Sequence, residues 1–316
     1  GAEIIKRLVK DADIVIENFK VGTLDKMGLG YEELKKVNPE IIFASISGYG
    51  QNGPWSSLAA YDNVIQAMCG MMEMTGFADD VPTKVGPAIG DNFTGLTMAL
   101  AITMAYFHKL QTGKGQRLDV AMMDCLFGIM ESPIMYKELL NEEISRCGNT
   151  DPTLFPYDVY PCKDGYFSVG VAAGSKSEWE RFCNAIKMPE LLKEEKYSTN
   201  ESRVALYDEL TPKILPFFAS KTKAELNDIF LPCSPVNTIP ELMEHPQLKA
   251  RNMLLPVTDN GVGKYLAMGN PMIMSETPAV IEKGAPAMGC DTEKVLLEAG
   301  YTADEIAAFV QNEICR

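Results

Sequence analysis

Histidine is scarce in this chain, and cysteine is never paired closely. Only His108 and His245 occur in 316 residues, and the cysteines at 69, 125, 147, 162, 183, 233, 290 and 315 form no CxxC. Zinc centres need clustered nitrogen and sulfur ligands, so no metal site is expected. In a core-rich sequence, 46% hydrophobic, scattered thiols fit the reducing cytoplasm better than a disulfide framework. Positive charge is also short, with 29 Lys and Arg against 43 Asp and Glu and a net charge of −14. That argues against a nucleic-acid partner, because phosphate backbones are bound by clustered cations. An anionic small ligand needs only local positive potential, from backbone N–H groups or a few lysines. Long apolar runs are missing as well. The best candidate, 96–110, is interrupted by Thr97, Thr103 and His108, so no membrane span is expected.

What is present reads as an α/β protein. Ala2–Ala12 has helical periodicity and Asp13–Glu17 reads as a buried strand. Tyr31–Asn38 is a helix stopped by Pro39, and Glu40–Ser47 is a second buried strand. Helix and strand alternating in this way imply a parallel sheet. A Met-rich helix is expected over Asp62–Thr75 and a strongly apolar one over Asn92–Gln111, with TGKG as its stop. Gln116–Met122 reads as a strand and Met123–Asn141 as a helix. Gly, Asn, Asp and Pro cluster over Arg146–Tyr160, which reads as a linker. Beyond it come a strand at DGYFSVGV and helices over Ser175–Lys187, Ser202–Ala219 and Thr222–Leu231. A Thr–Lys–Ala–Glu capping box opens the last of these and Pro232 ends it. Glu241–Asn252 reads as helical around Pro246, 255–281 as loop and strand, and Thr292–Ala299 and Thr302–Ile314 as helices. The chain opens on a helix feeding a strand, whereas an α/β domain starts on a strand. A front segment is therefore expected ahead of Gly1.

The chemistry concentrates between Ser47 and Gly95. Gly48-Tyr-Gly-Gln-Asn-Gly53 matches GxGxxG, but Pro54 follows and no helix is expected before Asp62. A dinucleotide fingerprint needs a helix opening at its third glycine, so a turn that brings backbone close to a ligand or a second chain is the better reading. Asp91 sits between Gly90 and a long apolar helix. It reads either as the helix N-cap or as an open carboxylate whose helix end faces developing negative charge. Asp119 and Asp124 read as a strand-end residue and a helix cap, Cys233 as a structural thiol, and Met68, Met71, Met72 and Met74 as core. His108 favours its helix dipole or packs, and His245 has no assigned role. Asn18 and Phe19 directly follow a strand, where parallel sheets line their ligand crevice. They could hold a heterocycle or simply form a turn. Lys26, a few residues on, could meet a phosphate or be solvated.

Together these stretches resemble the family III CoA-transferases, the group of formyl-CoA and carnitine CoA-transferases. The resembling segments are ADIVIENFKVGTLDKMGLGYEELKKVNPEIIFASISGYGQNGP, AYDNV, VGPAIGDNFTG, LQTGKGQRLDVAMMD, LPCSPV and EHPQLKARNML, in family order. The resemblance implies a Rossmann-like parallel-sheet domain, residues 1–145 completed by 256–316, with a smaller inserted α+β domain over 146–255. It implies an interlocked homodimer, acyl-CoA and carboxylic acid substrates, and no permanently bound cofactor, coenzyme A entering as a thioester. Asp91 takes the place of the catalytic aspartate, and Asn18 and Phe19 that of a CoA-contacting stretch. It also implies roughly 75–80 residues ahead of Gly1. The glycine-run loop of formyl-CoA transferases is missing, and Gly148–Tyr160 stands in its place, which argues against formyl or oxalyl specificity.

The α-methylacyl-CoA racemases share this scaffold, and Tyr61, thirty residues before Asp91, occupies the place of their catalytic histidine. A racemase needs two acid/base groups, and a phenol titrating near ~10 replaces an imidazole near ~6.5 poorly. A transferase needs one exposed carboxylate and an oxyanion site. The expectation is therefore CoA transfer through an aspartyl–acyl anhydride and an aspartyl-CoA thioester, with Tyr61 lining the pocket and Asp62 behind it. The alternatives are a racemase using Tyr61, or a catalytically silent acyl-CoA-binding subunit.

Overall fold

The structure is a computed structural model that describes residues 1–171, 176–230, 233–259, 263–281 and 283–315. The chain divides into two compact units, Gly1–Asn149 and Thr150–Arg316.

The first unit is built on a parallel sheet. Strands β1 (Ile14–Glu17), β2 (Ile42–Ser47) and β3 (Arg117–Ala121) lie in that order, with Ile14 opposite Ile42 and Ser45 opposite Asp119. The central strand is apolar from Ile42 to Ala44 and buried over that stretch, as a strand covered on both faces must be. Helices α1 (Ala2–Val9), α2 (Thr23–Lys26) and α3 (Tyr31–Val37) flank it. Val9, Leu29, Leu34, Ile41 and Phe43 form one core cluster. Asn38 locks the end of α3 to the end of α1, its Nδ2 donating to the carbonyls of Val9 and Ala12 at 3.0 and 2.9 Å.

The crossover from β2 to β3 contains α4 (Asp62–Met68), α5 (Met71–Met74) and α6 (Ile89–Thr112). The single Met-rich helix expected over Asp62–Thr75 is split because Gly70 takes a left-handed conformation, φ 89°. Its four methionines are half-buried or exposed rather than core. Met68 is exposed, and the positions that do face inward are Ile65, Gln66 and Cys69. Helix α6 ends at Gly113, φ 69°, as TGKG suggested. After β3 the expected single helix is also two, α7 (Met122–Gly128) and α8 (Glu131–Leu140), separated by a non-helical Met130. Ile65, Cys69, Met122 and Leu126 make the second core cluster.

The second unit opens with a hairpin, β4 (Tyr157–Cys162) against β5 (Gly165–Gly170), extended by β6 (Ser234–Pro235). The linker expected over Arg146–Tyr160 is therefore strand from Tyr157, where alternate side chains turn inward and Tyr160 becomes fully buried. Helices α9 (Lys176–Ala185), α10 (Asn200–Ala205), α11 (Tyr207–Ala219) and α12 (Lys223–Asn227) pack on it. The expected helix from Ser202 begins earlier, capped by Thr199, and breaks at Leu206. The Thr222 capping box is formed, its hydroxyl receiving the Glu225 N–H. Ser175, Leu231 and Pro232, where helix ends were expected, lie outside the described residues. Further on come α13 (Ile239–Glu244), α14 (Pro246–Ala250), the hairpin β7 (Leu254–Asp259) and β8 (Gly263–Met268), α15 (Thr292–Glu298) and α16 (Ala303–Gln311).

Candidate active site

A cavity of about 720 Å³ opens at the C-terminal end of the parallel sheet, within the range usual for small-molecule sites. Three chain segments leave the sheet there. Asn18, Phe19 and Lys20 follow β1; Ile46 and Ser47 end β2 and Gly48 follows it; Met122 follows β3. Ala60, Tyr61 and Asp62 at the start of α4, and Asp91 at the start of α6, complete the wall. Ligands gather at this end of such sheets because loops and helix N-termini converge there. Gly48 permits the tight approach of α4, since a Cβ there would lie 2.2 Å from the Ala60 Cβ.

The first turn of α6 differs from expectation. The helix begins at Ile89, the Asn92 N–H bonds the Ala88 carbonyl at 3.0 Å, and Asp91 is the third helical residue rather than the N-cap. Capping comes from another helix: Asp62 Oδ1 accepts the Gly90 N–H at 2.7 Å. That releases Asp91 from capping. It is exposed at the cavity wall, and among the described residues no hydrogen bond or ion pair occupies its carboxylate. Partial removal from water and then the neighbouring Asp62 carboxylate raise its pKa above the ordinary aspartate value. Both effects make the free carboxylate more basic.

Tyr61 is 75% exposed and Phe19 55% exposed. Glu17 shapes the turn after β1, its Oε2 accepting the Phe19 N–H at 2.9 Å. Of the five predicted site residues, the cavity gathers Asn18, Phe19, Tyr61 and Asp91. Lys26 ends α2 and is not among the lining residues. Lys20 is the lining cation that sequence reasoning passed over, although the rule that selected Asn18 and Phe19 covers it.

A family model described as CoA-transferase family III matches residues 1–292. The chain belongs to that family. This family III CoA-transferase is 35% identical over 302 residues to a succinate–glutarate CoA-transferase of Agrobacterium fabrum, covering 94% of this chain and 75% of the relative. It is 35% identical over 306 residues to a succinyl-CoA:mesaconate CoA-transferase of Haloarcula hispanica, with 94% and 76% covered. A crystal structure of a CAIB/BAIF family protein from Brucella suis superposes with a TM-score of 0.84 at 36% identity, covering 95% of this chain and 78% of that one.

The remaining motifs of this CoA-transferase have structural duties. No helix opens at Gly53; the chain turns through 51–57 and Gly50 and Gly53 take positive φ. Asp119 Oδ2 accepts the Gln51 N–H at 3.0 Å, and Asp124 lies in the first turn of α7 without capping it. Cys233 is half-buried, and burial raises its thiol pKa. His245 caps α14, its Nδ1 accepting the Gln247 N–H at 3.2 Å. Among the described residues, no three His, Cys, Asp or Glu side chains cluster as metal ligands. No described helix is long and apolar enough to cross a membrane.

Proposed function

We propose that the enzyme moves CoA between two acids with Asp91 as nucleophile. The Asp91 carboxylate attacks the donor thioester carbonyl, the C–S bond breaks, and CoA thiolate leaves behind an aspartyl–acyl anhydride. The retained thiolate attacks the Asp91 carbonyl, giving an aspartyl-CoA thioester and the donor acid as its carboxylate. The acceptor carboxylate attacks that thioester, forming a second anhydride and expelling thiolate again. The thiolate then attacks the acceptor's carbonyl, which yields the new acyl-CoA and restores Asp91. First-turn amides have no intrahelical carbonyl to bond. Since Asp62 holds the Gly90 N–H, the Asp91 N–H is the first-turn donor assigned to the oxyanions.

The observation that carries this reading is the unengaged Asp91 carboxylate on a cavity at the sheet's C-terminal end. Asn18 and Phe19 hold part of CoA and Tyr61 lines the acyl region. Lys26 is kept as an outlying phosphate contact. The names of the relatives support short dicarboxylic acids as donor and acceptor, and Lys20 supplies positive charge for their carboxylates. Residues 256–316 are proposed to complete the CoA-binding domain around an inserted unit over 146–255. The working form is proposed to be a cytoplasmic, interlocked homodimer. An outward apolar stripe on α6 supports the dimer: Leu96, Leu100, Met104, Phe107 and Leu110 are each at least 60% exposed. The test is to incubate the enzyme with succinyl-CoA, trap with hydroxylamine or borohydride, and map the modified peptide. Modification at Asp91 is expected; modification elsewhere, or full turnover by Asp91→Asn, overturns the assignment.

A further inference from the structure

Resting on that reading, a second carboxylate has an assignable task. Asp62 and Gln66 sit one turn apart on α4, on the same face. Asp62 Oδ1 accepts the Gly90 N–H at 2.7 Å, and Oδ2 accepts from Gln66 Nε2 at 2.7 Å. The fully buried Gln66 then accepts the Val85 N–H through Oε1 at 2.8 Å. Two amides, five residues apart, are thus held by one two-residue device. Residues 81–88 have no regular structure and are exposed except at Val85, and they are also anchored by the Thr83 N–H on the Thr75 carbonyl at 3.1 Å, ahead of the clamped segment. The fit depends on glycine at 90, where a Cβ would stand 2.9 Å from Asp62 Oδ1 and 3.4 Å from the Met122 Cε.

The same carboxylate lines the cavity beside Asp91. We propose that Asp62 is a positioning residue for transfer: with Gln66 it clamps the Val85–Gly90 segment that presents Asp91, and its negative charge favours the acylated over the free form of Asp91. The free carboxylate is an anion facing an anion. Acylation converts it to a neutral anhydride or thioester and removes that repulsion, while the raised basicity of the free form favours attack. The other titratable groups on the cavity wall are Lys20, from the segment after β1, and Tyr61. Met122 from α7 brings no charge.

The experiment compares wild type, Asp62→Ala and the double variant Asp62→Asn with Gln66→Glu. The double variant keeps a complete donor–acceptor chain to Gly90 and Val85 but moves the charge one turn away. Three readouts are taken: single-turnover acylation by succinyl-CoA, hydrogen exchange at the Val85 and Gly90 amides, and 13C-carboxyl titration of Asp91. Asp62→Ala is expected to lose protection at both amides and to acylate about a hundredfold more slowly, the scale of a misplaced reacting group. The double variant is expected to keep protection, titrate Asp91 at lower pH, and acylate about tenfold more slowly, the size of one pH unit of charge interaction. Unchanged acylation in both variants, with wild type still labelled at Asp91, overturns this inference alone. Labelling of wild type at another residue overturns the reading of the function and this inference with it.

Discussion

The two units stabilise themselves by different means. In Thr150–Arg316 rings make up half of the buried core cluster: Phe218 stacks on Tyr160 with centroids 4.7 Å apart and touches Phe182, Phe217 and Phe230. In Gly1–Asn149 the clusters are small and mostly aliphatic, and the longest helix, α6, buries only Gly90, Thr94, Met98 and Ala105. The carboxylate proposed to react, Asp91, lies in the unit with the smaller clusters. One large cluster with many ring contacts holds its side chains in place, which suits a scaffold. Helix starts held by single hydrogen bonds leave a carboxylate open to an incoming thioester.

That contrast can be broken at its sharpest point first. Asp91→Asn is expected to lower CoA transfer at least about a thousandfold, the scale on which covalent nucleophiles act as a unit, measured as exchange of CoA between two acids. Its melting temperature is expected to stay level or rise. The folded protein holds the Asp91 proton more tightly than the unfolded chain does, so stability falls as pH climbs through the ordinary aspartate range and stays lower above the raised native value. The asparagine variant lacks that loss. Phe218→Ala is expected to cost about 3–5 kcal/mol in urea melts, while the protein that stays folded is still labelled at Asp91. Gly90→Ala should cost about 1–3 kcal/mol through the clash with Asp62 and slow acylation as well. Leu100→Ser on the outward face of α6 should change monomer stability by no more than about 0.5 kcal/mol, with any larger effect appearing as a shift in sedimentation.

A pH titration sharpens the same contrast from the other unit. Lys196, Tyr197 and Lys213 hold Glu209 down at about 2. Its contribution is present above the ordinary carboxylate range and is lost as pH falls toward about 2. Glu209→Gln should flatten the acid limb of the melting curve there, and also shrink the loss at alkaline pH, because Glu209 helps raise Lys196 and Lys213 above the ordinary lysine range.

The alternation of helix and strand up to Ser47 was legible because each element carries its own period and its own stop, as at Pro39, and the same signal marked the end of α6 at Gly113. Errors fell where a single residue breaks a pattern that composition carries through. Gly70, Met130 and Leu206 split helices whose side chains look continuous. The membership of Asn18, Phe19, Tyr61 and Asp91 in one cavity could be reached from strand ends and family resemblance. The partner of Gly90 could not, because a hydrogen bond between residues 28 apart leaves no local trace.

By itself the sequence determined the parallel sheet, the end of it that would receive a ligand, and an acid at the head of an apolar helix. Those follow from short-range period, turn chemistry and residue type. Only the tertiary structure decided that Asp91 is free rather than spent on capping. That choice belongs to Asp62, whose carboxylate reaches the Gly90 amide only after two helices have packed against each other.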